Sequence, residues 1–540
     1  MKNSFVSSTA LRRFGFKQSL KGAIIVGLIA GFMALLQGVA YPATFPDQKS
    51  RAMLAASLES APALGVLYGP VKDLDSPVGY MVYRVPTFLA LIASIWGLAT
   101  VTRLLRGQEE DGRWEMVLAG NTSARHATWN IFLGFTGATV LAFVLTTVLA
   151  FAAGLSKDVD ISLGTSSLIG MMILLPGLLF GALGAFVSQL SVTRRRVFMY
   201  GIVLILICFI LRGLGNAISN LAWLKHITPF GWTELISPIS NTQPWWIALL
   251  VAVSLFLAGL GIYLAGKRDI GEGFLREATT VRPKFIFLNS PTALAFRQNF
   301  PQFIGWAAAA LGISSVMVAI TNVAVDATKD TPALAGAIAQ LGGSANDLKV
   351  AFLGAGMLLT ATILLIMATV SIGSIRSDEA KNYLDNLLTQ PIRRSVWLTN
   401  RLLLIATTIL FVSLLSAVFT YIIAKTQSIP LELGNFLLVS IALIGTSIFL
   451  IGVGTLLYGF LPRFASAVMY AVIAWSFIID MVGSAAKLDD WVANSSLLHY
   501  ISQSPSKTPD WSTFAWLAGL GIAFAALGVI RFTKRDIISE

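Results

Sequence analysis

The chain has 540 residues, 56% of them hydrophobic and 12% charged, with a mean hydropathy of +0.75; a soluble globular protein carries about a quarter charged residues, so that class is excluded and a polytopic membrane protein is indicated. The formal charge of +12 does not signal nucleic acid, because the basic residues fall at the ends of apolar runs rather than on one patch. A single cysteine, Cys208, excludes an intramolecular disulfide and a cysteine-built metal cluster, and three histidines leave little material for an imidazole site.

In chain order, twelve apolar runs approach the roughly 20 residues that a membrane-spanning helix needs. They are Gly22–Tyr41, Val85–Leu105, Trp129–Ala153, Leu168–Leu190, Val197–Leu221, Trp245–Ala265, Phe303–Val325, Phe352–Ile375, Trp397–Ala424, Phe436–Leu461, Phe464–Ala486 and Trp511–Ile530. A basic stretch precedes the first run with no A-x-A-like cleavage site after it, the form of a retained signal-anchor. The fifth run is the weakest, interrupted by Arg212 and Gly213-Leu214-Gly215. Starting with the N-terminus inside, alternate segments hold 27 Lys and Arg inside and 12 outside, which accounts for all 39; with the acids, the inner side is +15 and the outer side −3. By the positive-inside rule both termini are cytosolic.

Residues also recur at a nearly constant offset. Met199-Tyr200 returns as Met469-Tyr470, and Lys267-Arg268-Asp269-Ile270 after the sixth run returns as Lys534-Arg535-Asp536-Ile537 after the twelfth. The expected fold is therefore an all-α integral membrane protein of twelve transmembrane helices in two parallel six-helix repeats, with N and C termini cytosolic. The expected domains are residues 1–266, a cytosolic linker at 267–290, and residues 291–540. Ser8–Lys21 and Pro291–Phe300 mix basic residues with Leu and Phe, as an interfacial helix or an ordinary basic flank would.

Charge is concentrated in the insert after the second run, Arg103–Arg125, and in its echo Arg376–Arg394. Adding 270 to Arg106, Glu109, Glu115 and Leu118 gives Arg376, Glu379, Asp385 and Leu388; the triplet Trp114, Val117, Leu118 becomes Leu384, Leu387, Leu388. Positions i, i+3 and i+4 share one helical face, so each insert carries a short apolar stripe flanked by acids and closed by Gly120-Asn121 or Gln390-Pro391. That shape suits docking into a groove lined by basic residues. The bland reading is that the stripe packs on the chain's own span ends.

The plan resembles the membrane subunits of ATP-binding-cassette (ABC) exporters, and among them the single-chain, double-length polyketide-antibiotic and drug exporters. The residues that carry the resemblance are Arg106-Gly107-Gln108-Glu109-Glu110-Asp111-Gly112-Arg113-Trp114-Glu115 and Leu118-Ala119-Gly120. The second copy departs from that pattern, with Asn382-Tyr383-Leu384-Asp385 where the first has Gly-Arg-Trp-Glu. The resemblance implies a non-catalytic permease that exports hydrophobic or amphipathic compounds. It implies a partner, a cytosolic ABC ATPase, expected as a homodimer that binds the ATP and Mg. The coupling contacts it implies are Arg106, Glu109, Glu110, Gly112, Arg113, Trp114, Glu115 and Leu118, with Glu379, Leu384, Asp385 and Leu388 as a weaker second set.

No G-x-x-x-x-G-K-[ST] loop occurs, so energy must come from a separate polypeptide or an ion gradient. A gradient-driven carrier of six plus six spans is the rival, against which stands the scarcity of ionisable residues in mid-span. A membrane-integrated lipid-modifying enzyme would need a better site than the adjacent carboxylates of the insert, which lack a histidine or a metal geometry. A sensor that binds a compound without moving it stays open. Arg212 and Asp480 enter apolar runs at similar depth; they read either as a cross-half latch at the outer exit or as two side chains snorkelling independently. Gly181, Gly184, Gly452 and Gly454 suit close helix packing. Trp245-Trp246, Trp397 and Trp511 start spans and read as interfacial anchors.

Overall fold

The computed structural model describes residues 8–59, 68–119, 122–239, 242–275, 290–326, 348–380, 383–384, 389, 392–429, 431–483, 490–501 and 508–537. Its regular structure is helical. We label the long helices α1 (Ser8–Thr44), α2 (Pro86–Thr102), α3 (Ala124–Ala152), α4 (Leu163–Val187), α5 (Arg194–Ala217), α6 (Trp245–Ala265), α7 (Pro291–Asp326), α8 (Leu348–Ala380), α9 (Arg394–Thr426), α10 (Leu433–Phe460), α11 (Ala465–Gly483) and α12 (Trp511–Lys534). Among the described residues, ten helices are long and apolar enough to cross a membrane. In α11 the apolar stretch is shorter, Ala465–Phe477, and in α7 several side chains fall outside the described residues.

Two compact units divide the chain, Met1–Val281 and Arg282–Glu540. In the first, α1 packs along α3, α2 along α4, and α4 along α6; in the second, α7 packs along α9, α8 along α10, and α10 along α12. The close pairs need small residues. A Cβ on Gly97 would sit 2.0 Å from the Gly177 carbonyl oxygen, and one on Gly452 would sit 2.1 Å from that of Gly521. Helices in lipid gain little by hiding apolar surface from each other, so such backbone contact supplies much of their attraction. Gly181 and Gly454 instead make room for the side chains of Phe135 and Met469.

Ser8–Lys21 is not a separate interfacial helix. It forms the first turns of α1, whose 37 residues make a rod of roughly 55 Å, well beyond the ~30 Å hydrocarbon layer. Pro291–Phe300 likewise begins α7. Among the expected tryptophan anchors, Trp245 and Trp511 are exposed, whereas Trp246 and Trp397 are buried in the cores of their units.

Candidate functional site

The inserts are rooted at one end of each unit. Below α2 the backbone widens into a π-helical turn, Arg103–Gly107, followed by the single turn Gln108–Glu110. Such turns are rare and collect at functional positions. Gly112 then takes a left-handed conformation, φ +70°, with nothing near its α-carbon; glycine is the residue that does so without strain. Its turn reverses the chain into the short helix Arg113–Leu118.

Arg106 and Glu109, three residues apart, are both buried. Arg106 donates from Nε to the Ser191 carbonyl at 2.6 Å and from Nη2 to the Glu272 carbonyl at 2.7 Å. Its Nη1 lies 2.8 Å from Glu109. Glu109 accepts a two-pronged grip from Arg268, both distances 2.6 Å, and a third bond from the Gly271 N–H at 2.7 Å. Gly271 has φ +85°, so the turn after α6 folds back under the insert. It is held there by the Phe274 and Leu275 N–H groups, which donate to the Gln189 and Leu190 carbonyls at 3.1 and 2.8 Å. Glu110 accepts from the Arg194 N–H at 2.6 Å, placing a carboxylate at the positive start of α5.

The second unit builds the same clasp from the matching residues. Glu379 is fully buried and takes both prongs of Arg535, at 2.6 and 2.8 Å, with Arg376 at 3.6 Å. Burial works against the charge on Arg535, but the Glu379 carboxylate outweighs it and holds the guanidinium above its ordinary pKa. One difference lies behind the arginine. Gln189 accepts from Arg268 Nε at 2.7 Å, whereas Arg535 lies over the Tyr458 ring, 4.9 Å from its centre.

The apolar stripe faces inward. Trp114 is 5% exposed and packs in a cluster with Leu11, Leu104, Ala127 and Phe132, with Val117 and Leu118 against it. Leu384 is fully buried in the core of the second unit. These side chains therefore pack on the chain's own span ends, because a stripe beside a bundle buries itself in the nearest apolar surface. What the first insert offers outward is its tip: Glu110, Asp111, Gly112, Arg113, Glu115 and Met116, the last 70% exposed. Asp385 and Leu388 lie outside the described residues.

Arg212 is fully buried and pairs with Glu234, on the short helix Pro229–Leu235 of its own unit. Asn216 supports the same carboxylate at 2.9 Å. The side chain of Asp480 lies outside the described ones. Spacing could not identify Arg268, Arg535 or Glu234 as partners. A signal for the first two was present in the recurrence of Lys-Arg-Asp-Ile.

Comparison with known proteins decides the family. The family described as "Multidrug efflux system permease Rv1217c, C-terminal domain" matches residues 73–264 and 288–533. The chain belongs to this efflux permease family. The multidrug efflux system permease protein Rv1217c of Mycobacterium tuberculosis (strain ATCC 25618 / H37Rv) is 26% identical over 504 residues, 91% of this chain and 88% of that protein. As an efflux permease the chain is a multi-pass membrane protein and a component of a transport system. The family match contains both insert roots and stops shortly before each clasp arginine, Arg268 and Arg535.

Proposed function

We propose that this permease exports hydrophobic or amphipathic, drug-like compounds, driven by a separate cytosolic ABC ATPase that docks on the inserts. In this reading the chain crosses the membrane twelve times as two parallel six-helix halves, residues 1–266 and 291–540, joined by a linker with both termini inside. ATP and Mg belong to the partner, expected as a homodimer, so that one double-length chain faces two ATPase copies. The similarity to a multidrug efflux permease supports the cargo class. The clasp supports the coupling.

The observation that carries the mechanism is the twofold arginine grip on the insert root. In this reading Glu109 and Glu379, each paired with an arginine inside the protein, are not the docking groups. Instead they fasten the ends of α2 and α8 to the chain leaving α6 and α12, so that a push on the tip would move these elements together. A partner would touch the exposed Glu110–Met116 tip, where acidic side chains flank one solvent-facing methionine. Tightness of the root and exposure of the tip are what a lever requires.

Charge reversal and apolar loss at the tip, Glu115→Lys with Met116→Asp, are expected to weaken co-purification with the ATPase at least tenfold. Stability of the permease alone should stay unchanged, since both residues are exposed. Full recovery of the complex with this variant would sink the docking assignment.

A further inference from the structure

The clasps repeat, but the helix pairs beside them do not. In the first unit α1 and α3 meet at backbone distance: a Cβ on Gly134 would lie 2.3 Å from the Arg12 carbonyl oxygen, and one on Gly15 would lie 2.4 Å from that of Ile131. Ile131, Phe135 and Ala138 are sealed in the core there. The positions 270 residues later on α9 are Arg401, Leu404, Ile405 and Thr408 in place of Ile131, Gly134, Phe135 and Ala138. A leucine where the first unit has glycine prevents the same approach of α7 and α9. All four residues line an open recess between α7, α8 and α9, whose apolar wall includes Phe300, Phe303 and Met367.

Arg401 also lines a second, wider recess toward the insert end of the unit, where Ser290, Thr292, Arg393 and Asn400 stand among Ile392, Val396 and Trp397. It therefore stands between the two recesses, with Phe300, Phe303 and Met367 on one side and Arg393 and Asn400 on the other. The Arg401 side chain is 9% exposed. Its Nη2 serves Asp378 at 3.2 Å and Gln298 at 3.4 Å, and its guanidinium lies 5.5 Å from the centre of the Trp397 ring. Nε and Nη1 make no hydrogen bond within the described residues. A guanidinium has five donors in a planar fork and can serve two carboxylate-like groups from different sides. The desolvation of such a cation favours a second acceptor over an uncharged neighbour.

We propose that this junction binds an anionic amphiphile, its carboxylate or phosphate on Arg401 and its hydrocarbon chain against Phe300, Phe303 and Met367. The first unit has Ile131 and Gly134 at the positions matching Arg401 and Leu404. The site belongs to the permease alone and does not depend on ATP coupling, so its failure would leave the transport reading intact.

The test uses purified full-length permease in phosphatidylcholine nanodiscs, without ATPase, titrated with cis-parinaric acid and separately with its methyl ester. The paired variant Arg401→Gln with Asp378→Asn, which removes both charges of the pair, should weaken binding of the acid at least tenfold and change the ester less than twofold. Arg401→Lys, which keeps the cation, should retain most of the acid's affinity. Leu404→Phe, which fills the apolar recess and leaves Arg401 in place, should weaken both probes. Unchanged affinity for the acid in the paired variant, or acid binding that survives Leu404→Phe undiminished, overturns the site. Added phosphatidylglycerol then separates the sources of the ligand, both compatible with the site. Competition for the probe marks an anionic bilayer lipid as the occupant, and its absence marks a free amphiphile.

Discussion

Glu109 carries three arginine contacts and a backbone N–H at the root of the first insert, and its side chain is 4% exposed. Removing one partner of such a buried pair leaves an uncompensated charge, at a cost of about 3–5 kcal/mol. Arg268→Gln should therefore lower the thermal midpoint of the purified permease and speed protease cleavage within 108–119. Arg268→Lys should recover part of this, since it keeps the charge and loses the two-pronged fit. Joining Glu109→Gln to Arg268→Gln should cost less than the two single changes summed, because the pair acts as one unit. Additive losses would show that the clasp is not a coupled element. The acids and their i,i+3 arginines were legible in the sequence, since helical spacing is a local property. Arg268 and Arg535 were visible only as a repeat, because pairing them with Glu109 and Glu379 takes a fold-back over more than 150 residues.

Helix contacts follow the same division. Gly452 could be read as a packing residue from the sequence, and the approach of the Gly521 carbonyl to where its Cβ would stand bears that out. Gly452→Ala places a methyl group 2.1 Å from a backbone oxygen, which only a shift of α10 against α12 can relieve. Overpacking of this kind costs about 1–3 kcal/mol, and the melting curve in detergent should fall accordingly. Gly519→Ala, on α12 but with open space where its Cβ would stand, serves as the control and should melt with wild type or slightly above. Equal midpoints for both variants would contradict the tight α10–α12 crossing. The direction of the Trp114 stripe was not legible, since three apolar residues on one face look alike whether the groove belongs to a partner or to the same bundle. Trp397 misled for a related reason: a tryptophan at the start of a span suits an interface, but here it stacks with Phe532 at 6.0 Å beneath Arg401.

At the scale of the molecule, each unit repeats the order of helix packing and the clasp, yet they differ at the insert tip and beside α9. The first tip offers Arg113 and Met116, while the position matching Arg113 is Tyr383, 57% exposed. Sequence alone showed the membrane class and the charged inserts, since both are written in composition. It could not show the recess at Arg401, because that takes the fold to bring α7, α8 and α9 together. In the proposed mechanism an ATPase, acting on the inserts, powers export through this chain. The most direct measurement is substrate movement in sealed vesicles that hold the purified permease and its ATPase. Accumulation of a fluorescent amphipathic dye should require ATP, stop when the ATPase is omitted, and fall at least tenfold with Glu115→Lys plus Met116→Asp. Transport that follows an imposed pH gradient in vesicles without the ATPase would contradict it.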